Sequence, residues 1–180
     1  MTNINDLPIY DHQWTITPRV GAGLGAETVR LSPTIAFKFK SLRYGRINFV
    51  RTDPRAIEEL AEEFIVTNQM YDEGIPVIKP EGKGVCQTPI STFWKPLTLW
   101  RPKYVAGLVM PYVDGKLIEQ FPEDQQIALH ERAGREILDV IYDKGFTQKT
   151  TRKFYFPSNT LVTPEGKLFF VGMSYFNPKK

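Results

Sequence analysis

The sequence predicts an α+β protein built as one domain. Residues 14–50 alternate short apolar runs with glycine and proline turns, as strands do. Two longer segments, 53–74 and 123–145, carry apolar residues at spacings of three and four between helix-start and helix-stop signals. Residues 160–171 read as a closing hairpin. The order is therefore strands, helix, strands, helix, hairpin, which is the α+β pattern and not a regular βαβ alternation. The 180 residues suffice for one domain and are too few for two ordinary ones.

Each element has its own local reason. Gly21, Gly23 and Gly25, then Ser32-Pro33, then Gly45 punctuate the first β-rich segment. Thr28–Leu31 and Thr34–Phe39 flank Ser32-Pro33 and predict a hairpin. The first helix begins at Asp53-Pro54, because Asp caps well and Pro suits the first helical position. Its apolar stripe reads Ile57, Leu60, Ala61, Phe64, Asn68 and Tyr71, with Glu58, Glu59, Glu62 and Glu63 on the other faces. Gly74 ends it, and Pro76 stands just beyond. Residues 75–113 read as strands and loops, and Pro111 within Leu108–Tyr112 fits the end of a strand. The second helix runs from about Glu123 to Asp143, with Ile127, Gly134, Ile137, Leu138 and Ile141 as its buried face and Gly145 past its end. Thr160–Thr163 and Lys167–Val171, joined by Pro164-Glu165-Gly166, form the last hairpin.

Composition narrows the function classes. Hydrophobic residues make up 42% and charged residues 24%, ordinary values for a globular chain and unlike those of a disordered one. A domain of this size buries roughly 70% of its unfolded surface, so a core forms without staples. No run approaches the ~18 apolar residues of a membrane span, and Met1–Trp14 lacks the pattern of a secretory signal. The single cysteine, Cys86, excludes an internal disulfide and fits a reducing compartment, so a cytoplasmic location and a buried thiol are expected. One cysteine and two histidines, His12 and His130, are too few for a His/Cys metal site. His130 is expected as a core or boundary residue of the second helix. The net charge of +3 permits acidic partners without requiring them.

Four segments carry chemistry. Gly21–Glu27 (GAGLGAE) lies between two strand-like runs, and by itself reads equally as a hairpin turn that needs positive φ. No helix follows, so it is not a dinucleotide fingerprint. Ile35-Ala36-Phe37-Lys38 ends a strand in a lysine, whose charge needs a partner if the strand is covered. Glu63 is the favoured partner, with Glu59 and Glu62 as alternatives. The plain reading has Lys38 and Lys40 alternating outward along an edge strand. Gly74-Ile75-Pro76-Val77 follows the helix, and Leu108–Gly115 runs from a strand into a linker.

In this order the segments resemble the protein-kinase-like superfamily, and within it the small atypical branch of RIO kinases, Kdo kinases and aminoglycoside phosphotransferases. The resemblance covers residues 14–175, and the order of the motifs is more specific than any one of them. It implies a minimal bilobal fold in a single domain, with a β-rich lobe of residues 14–113 holding one helix and a much reduced lobe of residues 114–180. It implies ATP or ADP as ligand, held by Gly21, Gly23, Gly25, Lys38, Glu63, Met110, Tyr112 and Asn159. Lys38 would meet phosphates, the hinge-like backbone around Tyr112 the adenine edge, and Met110 the back of the pocket.

The same frame then breaks. In the family a catalytic loop supplies a base Asp, a metal-binding Asn five residues on, and a second metal-binding Asp after a hairpin. Tyr155–Val162 resembles the stretch around the Asn, at Asn159. Five residues before it stands Phe154, and counting forward from Gly145 reaches Thr150. No residue between Gly145 and Asn159 is acidic. Phe170-Val171-Gly172-Met173-Ser174 occupies the place of the second motif, with Gly172 where the Asp belongs. Asp143, Glu165 and Asp114 are the nearest acids in sequence, and none matches a family position.

The expectation is a pseudokinase-like binding or regulatory module without efficient phosphoryl transfer, in which nucleotide binding is either kept or lost. The alternative is an active atypical phosphotransferase using non-standard acids. With the sequence stopping within a few residues of Ser174, neither an activation segment nor substrate-binding helices are expected. A partner protein is expected at Trp94–Tyr104, rich in aromatics and basic residues, or at the Lys149–Phe156 loop. In that loop Lys149, Arg152 or Lys153 either replaces magnesium against phosphates or belongs to a solvated basic loop over packed aromatics. A nucleic-acid surface built from the same two stretches is the third reading, disfavoured by the low net charge. No membrane partner is expected.

Overall fold

The structure, a computed structural model, describes residues 9–13, 19–22, 26–44, 47–50, 53–87, 104–149 and 159–179. They form two compact units, one of Met1–Ala61 with Pro80–Tyr112, the other of Glu62–Lys79 with Val113–Lys180. The fold class is α+β: two sheets and two main helical segments.

The first unit is a seven-stranded sheet. Its strands are β1 (Ile9–Gln13), β2 (Arg19–Ala22), β3 (Ala26–Arg30), β4 (Ile35–Tyr44), β5 (Ile47–Val50), β6 (Gly82–Gln87) and β7 (Tyr104–Pro111). The order is β1-β6-β7-β4-β3-β2, with β5 paired to the far end of β4. All pairs are antiparallel except β1 with β6. The predicted hairpin at Ser32-Pro33 joins β3 to β4, closed by Leu31 N–H on the Ile35 carbonyl at 2.9 Å. Ser32 Oγ also accepts from the Ile35 N–H at 3.1 Å, the local bonding that makes serine a turn residue. One face of the sheet buries Val29, Phe37, Phe39, Cys86, Val105 and Val109. Gly107 is required there: a Cβ at this position would meet the Lys38 carbonyl and lie 2.5 Å from Phe37 Cζ.

Helix α1 (Pro54–Asp72) starts as predicted, with the Ala56 N–H bonded to Asp53 Oδ1 at 3.1 Å. It ends in a left-handed Gly74 (φ +78°), where the Gly74 N–H meets the Tyr71 carbonyl and the Ile75 N–H the Met70 carbonyl, both at 2.9 Å. Its buried stripe differs from the predicted one. Ala56, Leu60, Glu63, Phe64, Thr67 and Met70 are buried, whereas Ile57 and Tyr71 are 52% and 50% exposed. Ile57 and Leu60 instead border a groove of about 180 Å³ whose other wall is Lys83, Val85 and Leu108.

In the second unit, α2 (Glu123–Ala133) passes through a π-helical turn (Gly134–Leu138) into α3 (Asp139–Asp143). The sequence predicts this as one helix, and the π turn is the departure. Ala133, Ile137 and Ile141 are its buried residues, while Ile127 is exposed, contrary to expectation, and so is His130. Gly145 (φ +80°) repeats the cap of α1, with the Phe146 N–H on the Ile141 carbonyl at 3.1 Å. A three-stranded antiparallel sheet follows, of β8 (Lys116–Leu117), β9 (Thr160–Val162) and β10 (Leu168–Phe170), in the order β10-β9-β8. Its hairpin turns at Gly166 (φ +78°), as the sequence predicts. The core here gathers Val66, Met70, Ile75, Ile137, Ile141, Phe146, Phe170 and Phe176. Each such buried side chain stabilises by about 1.5–3 kcal/mol against exposure. No described helix is long and apolar enough to cross a membrane.

Candidate functional site

Lys38 stands near the middle of the large sheet. One rung runs Gly21, Thr28, Lys38, Leu108 and Lys83 across β2, β3, β4, β7 and β6. Cross-strand partners share a face, so Thr28, Lys38, Leu108 and Lys83 lie on one side. Ala36 pairs with Met110 two residues away on β4, on that same side. Phe37 and Phe39 point to the opposite face and into the core, their rings 6.1 Å apart. Lys38 and Lys40 are only 8% and 2% exposed. The outward-facing edge-strand reading of these lysines is therefore overturned: β4 is hydrogen-bonded on both sides, by β3 and β7.

The remaining residues expected in the site separate as follows. Met110 is buried. Tyr112 lies just past β7, and its N–H bonds to the Thr34 carbonyl at 2.8 Å, so this donor serves the β4–β7 junction. Its ring sits 4.1 Å beneath the Arg30 guanidinium. Glu63 belongs to the buried stripe of α1, 2% exposed, and its backbone carbonyl accepts from Thr67 Oγ1 at 2.6 Å. Sequence reading puts Glu63 on an outer face, and the structure corrects this. Gly21 is in β2, paired to Thr28 beside a bulge. Gly23 and Gly25 lie outside the described residues.

Asn159 precedes β9 and adjoins Gly172 after β10. The Val171 N–H bonds to the Asn159 carbonyl at 2.9 Å. A Cβ on Gly172 would lie 2.8 Å from both Cβ and Oδ1 of Asn159. The space that a side chain at residue 172 would enter is thus filled by the Asn159 side chain. A magnesium ion held there by carboxylates does not fit these residues. Among the described residues there is no group of three His, Cys, Asp or Glu that could hold a metal ion.

The three substitute acids are exposed. Asp143 ends α3, and Asp114 lies between β7 and β8. Glu165 sits in the turn at the closed end of the β9–β10 hairpin, whereas Asn159 and Gly172 flank its open end. Its carboxyl is held below the usual range by a bond from its own backbone N–H and then by Thr163. Lys149, the described member of the basic loop, is engaged: its ammonium is 2.7 Å from Glu62 Oε2, and its N–H meets the Tyr175 carbonyl at 2.7 Å. Arg152, Lys153 and Phe154–Phe156 lie outside the described residues, as do residues 94–103 of the aromatic stretch.

Sequence reasoning did not single out Lys83. Lys40 was legible, because a residue two from Lys38 in a strand shares its face.

No protein-family profile matches the chain, and no curated protein matches it. Among solved structures it is similar to the crystal structure of WbdD, with a TM-score of 0.46 and 12% identity over 87% of this chain. The chain spans about a third of the length of that protein, 31%. The likeness is at the level of fold and is weak.

Proposed function

We propose that this chain is a degenerate protein-kinase-like module that binds ATP or ADP through the Lys38 face of its large sheet and does not transfer phosphoryl groups efficiently. What supports the reading is the pairing of two facts. A buried lysine stands on an interior strand in one rung with the glycine-rich segment. The place of the second metal-binding acid is occupied by a glycine packed against Asn159. Phosphoryl transfer depends on positioning and on metal-borne charge stabilisation, so a site without those acids favours binding over turnover. The roles of Gly21, Gly23, Gly25, Glu63, Met110, Tyr112 and Asn159 in nucleotide binding belong to the same proposal. So do a partner protein at Trp94–Tyr104 or Lys149–Phe156, and a cytoplasmic setting.

The test is a thermal-shift titration with ATP and ADP, each with magnesium and with EDTA, on the wild type and on Lys38→Met, which keeps the aliphatic stem. A ligand at a hundred times its dissociation constant adds about 2.7 kcal/mol, which raises the melting point by roughly 5–10 °C at this chain length. The expected result is a shift of equal size with and without magnesium that Lys38→Met abolishes. A shift that requires magnesium would overturn the proposed loss of metal chemistry. No shift would remove the nucleotide from the proposal.

A further inference from the structure

Beyond α3 and β10, the second unit contains a short segment that is bonded far more closely than its irregular conformation requires. Phe176 is fully buried, meets the Phe170 ring edge-on at 5.7 Å, and forms a β-bridge with Gln148. The Asn177 N–H bonds to the Thr147 carbonyl at 2.9 Å, and its side-chain amide reaches Thr147 Oγ1 at 3.2 Å. At Lys179 the backbone N–H donates to Gln69 Oε1 at 2.8 Å, while Gln69 Nε2 donates back to the Lys179 carbonyl at 3.0 Å. The Lys179 ammonium lies 2.7 Å from Glu73 Oε1 and 4.6 Å over the Phe146 ring. Glu73 Oε2 takes Lys144 at 3.3 Å.

These contacts have two anchors. Gln69 lies on the flank of α1 and Glu73 one turn on, just past its end, and 146–148 is the loop that leaves α3. A primary amide that satisfies both backbone groups of one residue copies the pairing of two strands, so it fixes register as well as position. The ammonium between a carboxylate and an aromatic ring fixes the side from which the segment approaches. A segment that merely lies on a surface keeps its backbone groups in water and needs neither device.

We propose that Phe176–Lys179 is a strap that fastens the C-terminal turns of α1 to the loop after α3. The last turns of α1 keep their order only while the strap is docked. This inference does not depend on nucleotide binding.

The experiment is amide hydrogen exchange on the full chain, comparing the wild type with Gln69→Ala, Lys179→Met and Lys179→Arg. Charge-assisted hydrogen bonds contribute enough for their loss to speed local opening on the order of tenfold. Gln69→Ala and Lys179→Met should each accelerate exchange in residues 69–74, 146–149 and 176–179 together, leaving the α2 amides as they were. Lys179→Arg should behave as the wild type. Faster exchange confined to 176–179 would overturn the proposal, because the segment would then be a passenger on α1. Unchanged exchange in all three stretches would overturn it as well. If Gln69→Ala unfolds the chain, Lys179→Met, which leaves the amide pair intact, carries the same test.

Discussion

Replacing Gly172 by alanine isolates the contact between this residue and the Asn159 side chain. The backbone at Gly172 has φ −98° and ψ 34°, which alanine adopts without strain. The whole cost must therefore come from the new methyl group. That methyl would stand 2.8 Å from Asn159 Cβ and Oδ1 and 2.9 Å from Cγ, whereas ordinary contact begins at 3.4 Å. The shortfall is about 0.6 Å against three atoms, one of them the rigid Cβ, so rotation of the amide alone cannot relieve it. Overpacking of this kind costs about 1–3 kcal/mol, and each kcal/mol lowers the melting point of a chain this long by roughly 2–4 °C. Calorimetry on Gly172→Ala should show a loss near the middle of that range. Gly172→Asp should lose more, since its larger, charged side chain would enter the space beside Asn159 Oδ1, and it should not gain magnesium-dependent stabilisation. Asn159→Gly removes all three obstructing atoms, so the double variant Asn159→Gly/Gly172→Ala should be more stable than the sum of the single losses by about 1 kcal/mol or more. An unchanged melting point in Gly172→Ala, or strict additivity in the double variant, would refute the packing argument.

Two further outcomes follow from features of the helices. Gly74→Ala and Gly145→Ala meet nothing within 4 Å, yet both positions have φ near +80°. Each should cost about 1–2 kcal/mol by backbone strain alone, measured as a drop in the urea midpoint with unchanged slope. Glu73 is held below its ordinary value near 4.5 by its bond from Lys179 and then by that from Lys144. Its folded value is depressed, so its contribution is complete above the unfolded value and fades as pH falls through the folded one. Urea midpoints taken between about pH 5 and about pH 3 should fall more steeply in the wild type than in Glu73→Gln. Equal slopes would show that the Lys179–Glu73 and Lys144–Glu73 pairs are too well solvated to matter.

Turn and cap chemistry was legible from residues alone: Asp53-Pro54, Gly74, Gly145, Ser32-Pro33 and Pro164-Glu165-Gly166 all act locally, and all stand where the sequence puts them. The burial of α1 was legible only in part. Leu60 and Phe64 are buried as predicted, but the rest of the stripe falls one residue earlier, about 100° around the helix, at Ala56, Glu63, Thr67 and Met70. Periodicity follows apolar side chains, and here a glutamate and a threonine occupy the inner face while Ile57 and Tyr71 stay outside. Thr67 is tolerated because its hydroxyl bonds back to the Glu63 carbonyl at 2.6 Å. The strand β1 escaped notice because it pairs in parallel with β6, more than seventy residues away, and no neighbouring turn announces it. The candidate site was read in parts. Lys38 and Asn159 came from the order of the motifs, whereas the filling of the Gly172 position is a matter of packing that no single-residue pattern carries.

Both helices leave through the same device, a left-handed glycine followed by a buried apolar residue, and three residues after each glycine comes a β-bridge. Val77 bridges to Phe170 and Gln148 to Phe176. Both exits are thus completed by residues 170–176, which also supply the rings that fill the core between them. During synthesis α1 exists long before those residues do. The cluster that buries Val66, Met70 and Ile75 is complete only after about a hundred further residues have been added. The core of the second unit is therefore completed late in synthesis. Its exposure to chaperones and proteases should be set by translation time over that stretch as much as by its final stability.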